Sequence, residues 1–106
     1  MDWKSCKTQG FAKEVSEDKN LMSSLVRGAM KKLHAQELLE LNEATTTAKV
    51  SLAYDALREL LEAAAMTNRY KIYNHECYAA FLEEIVKESA LARRFNKLRK
   101  IRNDIT

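Results

Sequence analysis

The sequence predicts an all-α protein, an antiparallel up-down four-helix bundle with a short N-terminal helical arm. Three observations predict it. The 106 residues contain no proline and two glycines, so the tight turns that an all-β sandwich or barrel needs are scarce. At 46% apolar residues the chain can bury one real core, yet it is too short for two domains. The apolar residues recur at helical spacing in four segments joined by short linkers. A single domain 1–106 follows, with residues 1–15 an arm and 16–106 the bundle.

Residues 1–15 carry one short helical piece around Trp3 to Lys7, with Gly10 as its stop, and Trp3 and Phe11 are expected to pin the arm to the body. Ser16, Glu17 and Asp18 supply side-chain oxygens and negative charge for a helix N-terminus. Helix A then runs from about Glu17 to Leu41, some 35 Å. Its stripe is Met22, Leu25, Val26, Ala29 and Leu33; beyond it Gln36 and Glu40 fall on the stripe and Leu38, Leu39 and Leu41 off it. Asn42 to Thr47 form a polar linker. Helix B, about Ala48 to Met66, has the clean period Val50, Ala53, Leu57, Leu60, Leu61 and Ala64, with Asp55, Glu59 and Glu62 opposite. The connection Thr67 to Asn74 is rich in aromatic and basic residues where a loop would ordinarily be polar. Asn74 caps helix C, which runs to about Lys87 with Tyr78, Leu82, Ile85 and Val86 inward. Ser89 restarts the chain as helix D, from about Ala90 to the end.

The cysteines, Cys6 and Cys77, are too few for a disulfide framework, and no charged-then-apolar leader opens the chain. A reducing cytoplasm is the expected setting. No apolar run approaches the roughly 18 residues of a membrane span, so a soluble protein without membrane attachment is expected. His34, His75 and the two cysteines make no zinc pattern, because His75 and Cys77, two apart, cannot share a helix face. There is no glycine-rich phosphate loop; no metal and no cofactor are expected.

The net charge of +3 is unevenly spread. Met1 to Val86 holds 11 basic and 13 acidic residues, whereas Lys87 to Arg102 holds seven basic residues against Glu88 alone. Such a segment can hold phosphate or nucleic acid, or it can be a solvated helix face with cations near a C-terminus. Within it Leu91, Phe95, Leu98 and Ile105 share one face. Arg102 lies about 40° from Leu98, inside that stripe, and so must pair, reach solvent along its stem, or meet an anion. Tyr54, Tyr70, Tyr73 and Tyr78 can stack on bases or close the ends of the bundle. Arg58 can pair with Glu62 at i+4.

The segment Arg99-Lys100-Ile101-Arg102-Asn103-Asp104-Ile105, with Tyr54-Asp55-Ala56-Leu57-Arg58-Glu59 and Tyr70-Lys71-Ile72-Tyr73-Asn74-His75-Glu76, resembles the HEPN (higher eukaryotes and prokaryotes nucleotide-binding) family. The likeness is to its small stand-alone prokaryotic members and extends from the tryptophan arm to the last residue. It implies a four-helix up-down bundle that forms a homodimer, with the final helices lining a basic cleft for nucleotide or RNA. It also implies a nucleotidyltransferase partner of the toxin–antitoxin kind and, in many members, metal-independent ribonuclease activity. Arg102 and Asn103 match the first two positions of the family's motif and are the implied catalytic pair. The motif's histidine would fall near position 107, after Thr106, which makes ribonuclease activity depend on a longer chain. Arg94, Arg99, Lys100 and Arg102 are the expected nucleotide- or RNA-binding residues, with His75, the substitute base, and Tyr73 as accessory groups. His75 also reads as a satisfied core histidine. A helical dimerisation or interaction module without catalysis is the alternative.

Overall fold

A computed structural model describes residues 1–105; Thr106, where the expected last helix ends, lies outside the described residues. Asp2 starts α1 (Trp3–Thr8) by accepting from the Ser5 amide at 2.8 Å, and Gly10, at φ 77°, turns the chain out of the helix. The next residues enter β1 (Ala12–Glu14), which pairs antiparallel with β2 (Tyr70–Ile72) in the register Ala12 to Ile72, Lys13 to Lys71 and Glu14 to Tyr70. Bonds from Val15 N–H to the Arg69 carbonyl (2.9 Å) and from Tyr73 N–H to the Phe11 carbonyl (2.7 Å) extend this ribbon at both ends. The ribbon corrects two expectations: the arm ends in a strand, and the aromatic and basic connection after the third helix is its partner. Three-residue strands carry too little alternation to be read as period two.

Asp18 caps α2 (Lys19–Leu38) through the Leu21 amide at 3.0 Å. This helix stops earlier than expected. The Lys49 ammonium donates to the carbonyls of Gln36 and Leu39 (2.8 Å to the latter), while the Asn42 side chain accepts from the Ala44 and Thr45 amides. The last carbonyls of α2 thus find a cation from the next helix, and the Asn42 turn redirects the chain.

From there α3 (Thr46–Thr67) runs between α2 on one side and α5 and β2 on the other. It is consequently buried on more faces than one stripe describes: Tyr54 and Ala56 are wholly buried, and Glu59, expected on the solvent side, is 9% exposed and paired with Lys32 of α2. Of the expected stripe only Leu61 is fully buried, and Val50, Ala53, Leu57, Leu60 and Ala64 are half-buried. A left-handed Arg69, at φ 64°, lets the chain enter β2 directly.

Asn74 caps α4 (His75–Glu84) through the Glu76 amide at 2.8 Å. Lys87, at φ 64°, folds the chain back so that the Glu88 amide reaches the Leu82 carbonyl, and α5 (Ser89–Ile105) begins. Ala92 and Phe95 are the fully buried residues of α5, Leu98 packs against the core, and Leu91 and Ile105 stay exposed, as does Val86 before it.

The core gathers Tyr54, Tyr78, Phe81, Leu82 and Phe95 where α3, α4 and α5 meet. Trp3 brings the arm into it, set edge-on to Tyr70 with ring centroids 5.1 Å apart and tilted on Phe81 at 5.8 Å. Its backbone amide also donates to Glu84 at 2.7 Å. Cys6 and Cys77, 71 residues apart, form a disulfide that fastens α1 to α4, a pairing their sequence positions do not suggest. Among the described residues no helix is long and apolar enough to cross a membrane.

Candidate functional site

Helical spacing on three elements builds one mixed aromatic and cationic cluster. On α3, Tyr54 and Arg58 stand one turn apart; His75 is the first residue of α4; on α5, Arg99 and Arg102 are three apart, on neighbouring flanks of the helix. The Tyr54 hydroxyl and His75 Nδ1 are 2.9 Å apart. The Arg102 guanidinium lies 5.4 Å from the centroid of the Tyr54 ring, within the range of a cation–π contact. Underneath, Tyr54 stacks on Phe95 at 5.7 Å, and Phe95 meets Tyr78 edge-on at 6.1 Å. The aromatic floor is therefore buried while His75 stays exposed at its rim.

The electrostatics follow from this geometry. Desolvation, then the charges of Arg58, Arg102 and Arg99, hold the His75 imidazole below its ordinary value of 6.5, with Asp55 opposing. Desolvation raises the Tyr54 phenol above 10.0 despite the same three arginines. Tyr78, more deeply set, is pushed up to about 12, first by burial and then by Glu62. At neutral pH the cluster thus presents a neutral imidazole and neutral phenols beneath arginine charge.

The arginines differ in their surroundings. Arg58 has Glu62 at 3.7 Å, the i+4 pair expected from the sequence. Arg99 lines a groove with Glu76, Glu83 and Asn96 between α4 and α5, and its Nε is buried with no hydrogen-bond partner among the described residues. Arg102 is half-buried, its ring contact placing it over the Tyr54 face.

No family model, curated protein or solved structure matches this chain. The site therefore rests on its own geometry.

Of the residues singled out in the sequence, the fold brings Arg102 and His75 to the same residue, Tyr54, and Arg99 near enough for its charge to bear on His75. Asn103 is exposed beside Arg102 and about 100° around the helix. Lys100 is exposed and turned about 160° from Arg102, and exposed Arg94 lies about 12 Å back along α5. Tyr73 is 57% exposed at the end of the ribbon, where the Lys13 and Lys71 ammonium groups lie 5.7 and 5.8 Å from its ring. His75 is no core histidine: it is satisfied on one nitrogen and exposed. Tyr54 and Arg58 are the additions. Their signal was the i+4 spacing beside the α3 stripe, which says that they share a face but not that the face meets the start of α4. Among the described residues no group of three or more His, Cys, Asp or Glu side chains could hold a metal ion.

Proposed function

We propose that this chain is a four-helix up-down bundle of HEPN type that binds the phosphate of a nucleotide or RNA at the meeting of α3, α4 and α5. One observation carries the reading: Arg102 is held over the ring of Tyr54, whose hydroxyl meets His75, and the charges of Arg58, Arg102 and Arg99 all bear on that imidazole. Planar guanidinium groups beside an imidazole match the geometry of a phosphate oxyanion, and the pairing of α2 with α3 and of α4 with α5, with α3 also touching α5, supports the bundle. In this reading the protein is a homodimer joined through α5, where Leu91, Ile101 and Ile105 are exposed, and the Cys6–Cys77 disulfide speaks for an oxidising setting, against the reducing cytoplasm expected from the cysteine count. A nucleotidyltransferase partner and a toxin–antitoxin role rest on the resemblance in sequence. Binding takes precedence over ribonuclease action because His75 and Arg102 suffice for a phosphate, whereas cleavage also needs a base.

Fluorescence anisotropy with a labelled single-stranded RNA tests the proposal. Arg102→Ala should weaken binding by about tenfold or more and flatten its salt dependence, while Lys31→Ala, on exposed α2, leaves both unchanged. Equal affinity of the Arg102 variant and the parent would overturn it.

A further inference from the structure

The Tyr54–His75 contact has two possible proton arrangements, and they give the histidine opposite roles. Tyr54 is 0% exposed, and among the described residues its hydroxyl meets only His75 Nδ1, at 2.9 Å. If Nδ1 carried the proton, the phenol oxygen would accept and its own hydrogen would be left buried without an acceptor. The cost of one unsatisfied buried donor disfavours that arrangement by a factor on the order of 10 to 100. The phenol therefore donates to Nδ1. A doubly protonated imidazole would restore the first problem, and it is opposed by desolvation and by Arg58, Arg102 and Arg99, with Asp55 acting the other way. The neutral ring then carries its hydrogen on Nε2, which forms no hydrogen bond among the described residues, on an exposed side chain at the rim of the arginine cluster.

We propose that Tyr54 locks His75 in the Nε2–H tautomer, making His75 a hydrogen-bond donor to a phosphate oxygen held by Arg102 and Arg99 and not a proton acceptor in cleavage. The assignment of phosphate as the ligand rests on the binding function proposed above; the tautomer itself does not. A ring nitrogen that already bears hydrogen cannot take the proton of a ribose hydroxyl, so this site discriminates by donating. The Nε2 hydrogen then offers a phosphate a neutral donor beside the guanidinium charge that bears on the same ring.

The test has two parts. Imidazole nitrogen NMR of the ligand-free protein should report Nε2–H and an accepting Nδ1 for His75, and Tyr54→Phe should release the ring into a mixture of tautomers. A dominant Nδ1–H form in the parent protein overturns the proposal while leaving arginine-mediated binding untouched. Binding is then measured with adenosine monophosphate and with a short RNA, which separates a terminal phosphate from a phosphodiester. For whichever probe binds, His75→Ala should weaken it about fivefold to tenfold, and His75→Gln, whose amide can donate from near the Nε2 position, should stay within about twofold of the parent. His75→Gln as weak as His75→Ala overturns the donor role. Failure of both probes to bind the parent, with Nε2–H intact, overturns the phosphate assignment together with the function it rests on.

Discussion

Gly28 of α2 lies against the Glu59 carboxylate of α3, and replacing it should change the sign of its effect with its neighbour. A methyl group at Gly28 would lie 2.6 Å from Glu59 Oε2 and 3.7 Å from its Cδ. That carboxylate is almost fully buried and pairs with Lys32, one turn along α2 from Gly28. Exchanging an interior helical glycine for alanine is worth about 1 kcal/mol in backbone terms. Against this gain, the Glu59 carboxylate must swing away from Lys32 and weaken a charge-assisted hydrogen bond worth about 1.5–3 kcal/mol when buried. The Lys32 side chain is 35% exposed, so solvent screening reduces the loss to about 1–2 kcal/mol. Gly28→Ala should therefore be neutral to about 1 kcal/mol destabilising in the parent, but about 1 kcal/mol stabilising in a Glu59→Ala background. Urea unfolding of the four proteins of this cycle reads the coupling directly, and for a domain of this size each kcal/mol moves the melting temperature by about 4–5 °C. Stabilisation by Gly28→Ala in both backgrounds would refute the placement of Glu59 against α2.

The Cys6–Cys77 bond closes a separation of 71 residues, which in the chain-entropy description stabilises by about 4 kcal/mol. Reduction should accordingly lower the melting temperature by about 16–20 °C, and the oxidised protein should weigh two hydrogens less; thiols that react fully with an alkylating reagent in the untreated folded protein would count against the bond. His75, whose imidazole is held below 6.5 in the fold, makes stability fall with acidity: below that value the unfolded chain binds the proton that the folded ring resists, and above it the two states bind equally. Melting temperature should therefore drop as the pH falls below about 6.5, and His75→Gln should remove part of that slope; an identical profile in the variant would contradict the depressed imidazole.

The helices were legible because each carries a local signal. Asp18 and Asn74 cap from side chains that a reader of the sequence can find, and neither glycine nor proline interrupts α3. The limits of that reading were set by neighbours. Lys49 ends α2 from the next helix, so no residue inside α2 marks the stop. Burial on several faces of α3 comes from its position between α2, α5 and β2, and a stripe computed on one isolated helix cannot include it. The β ribbon depends on pairing Ala12–Glu14 with residues nearly sixty positions later, and three residues hold no period to announce it.

The sequence by itself determined that this is a helical chain with one core, a cationic last helix and an arginine, Arg102, where helical spacing calls for a hydrophobe. Local propensity and periodicity suffice for those statements because they concern residues within a few turns of one another. Only the tertiary structure decided what Arg102 meets. The packing of α3, α4 and α5 sets it over Tyr54, joins Tyr54 to His75 and brings Arg99 and Arg58 to the same place, while the Cys6–Cys77 bond ties the arm to α4 two residues from His75. Contacts between residues far apart in the chain arise from which faces bury each other, and that choice is made by the whole core at once.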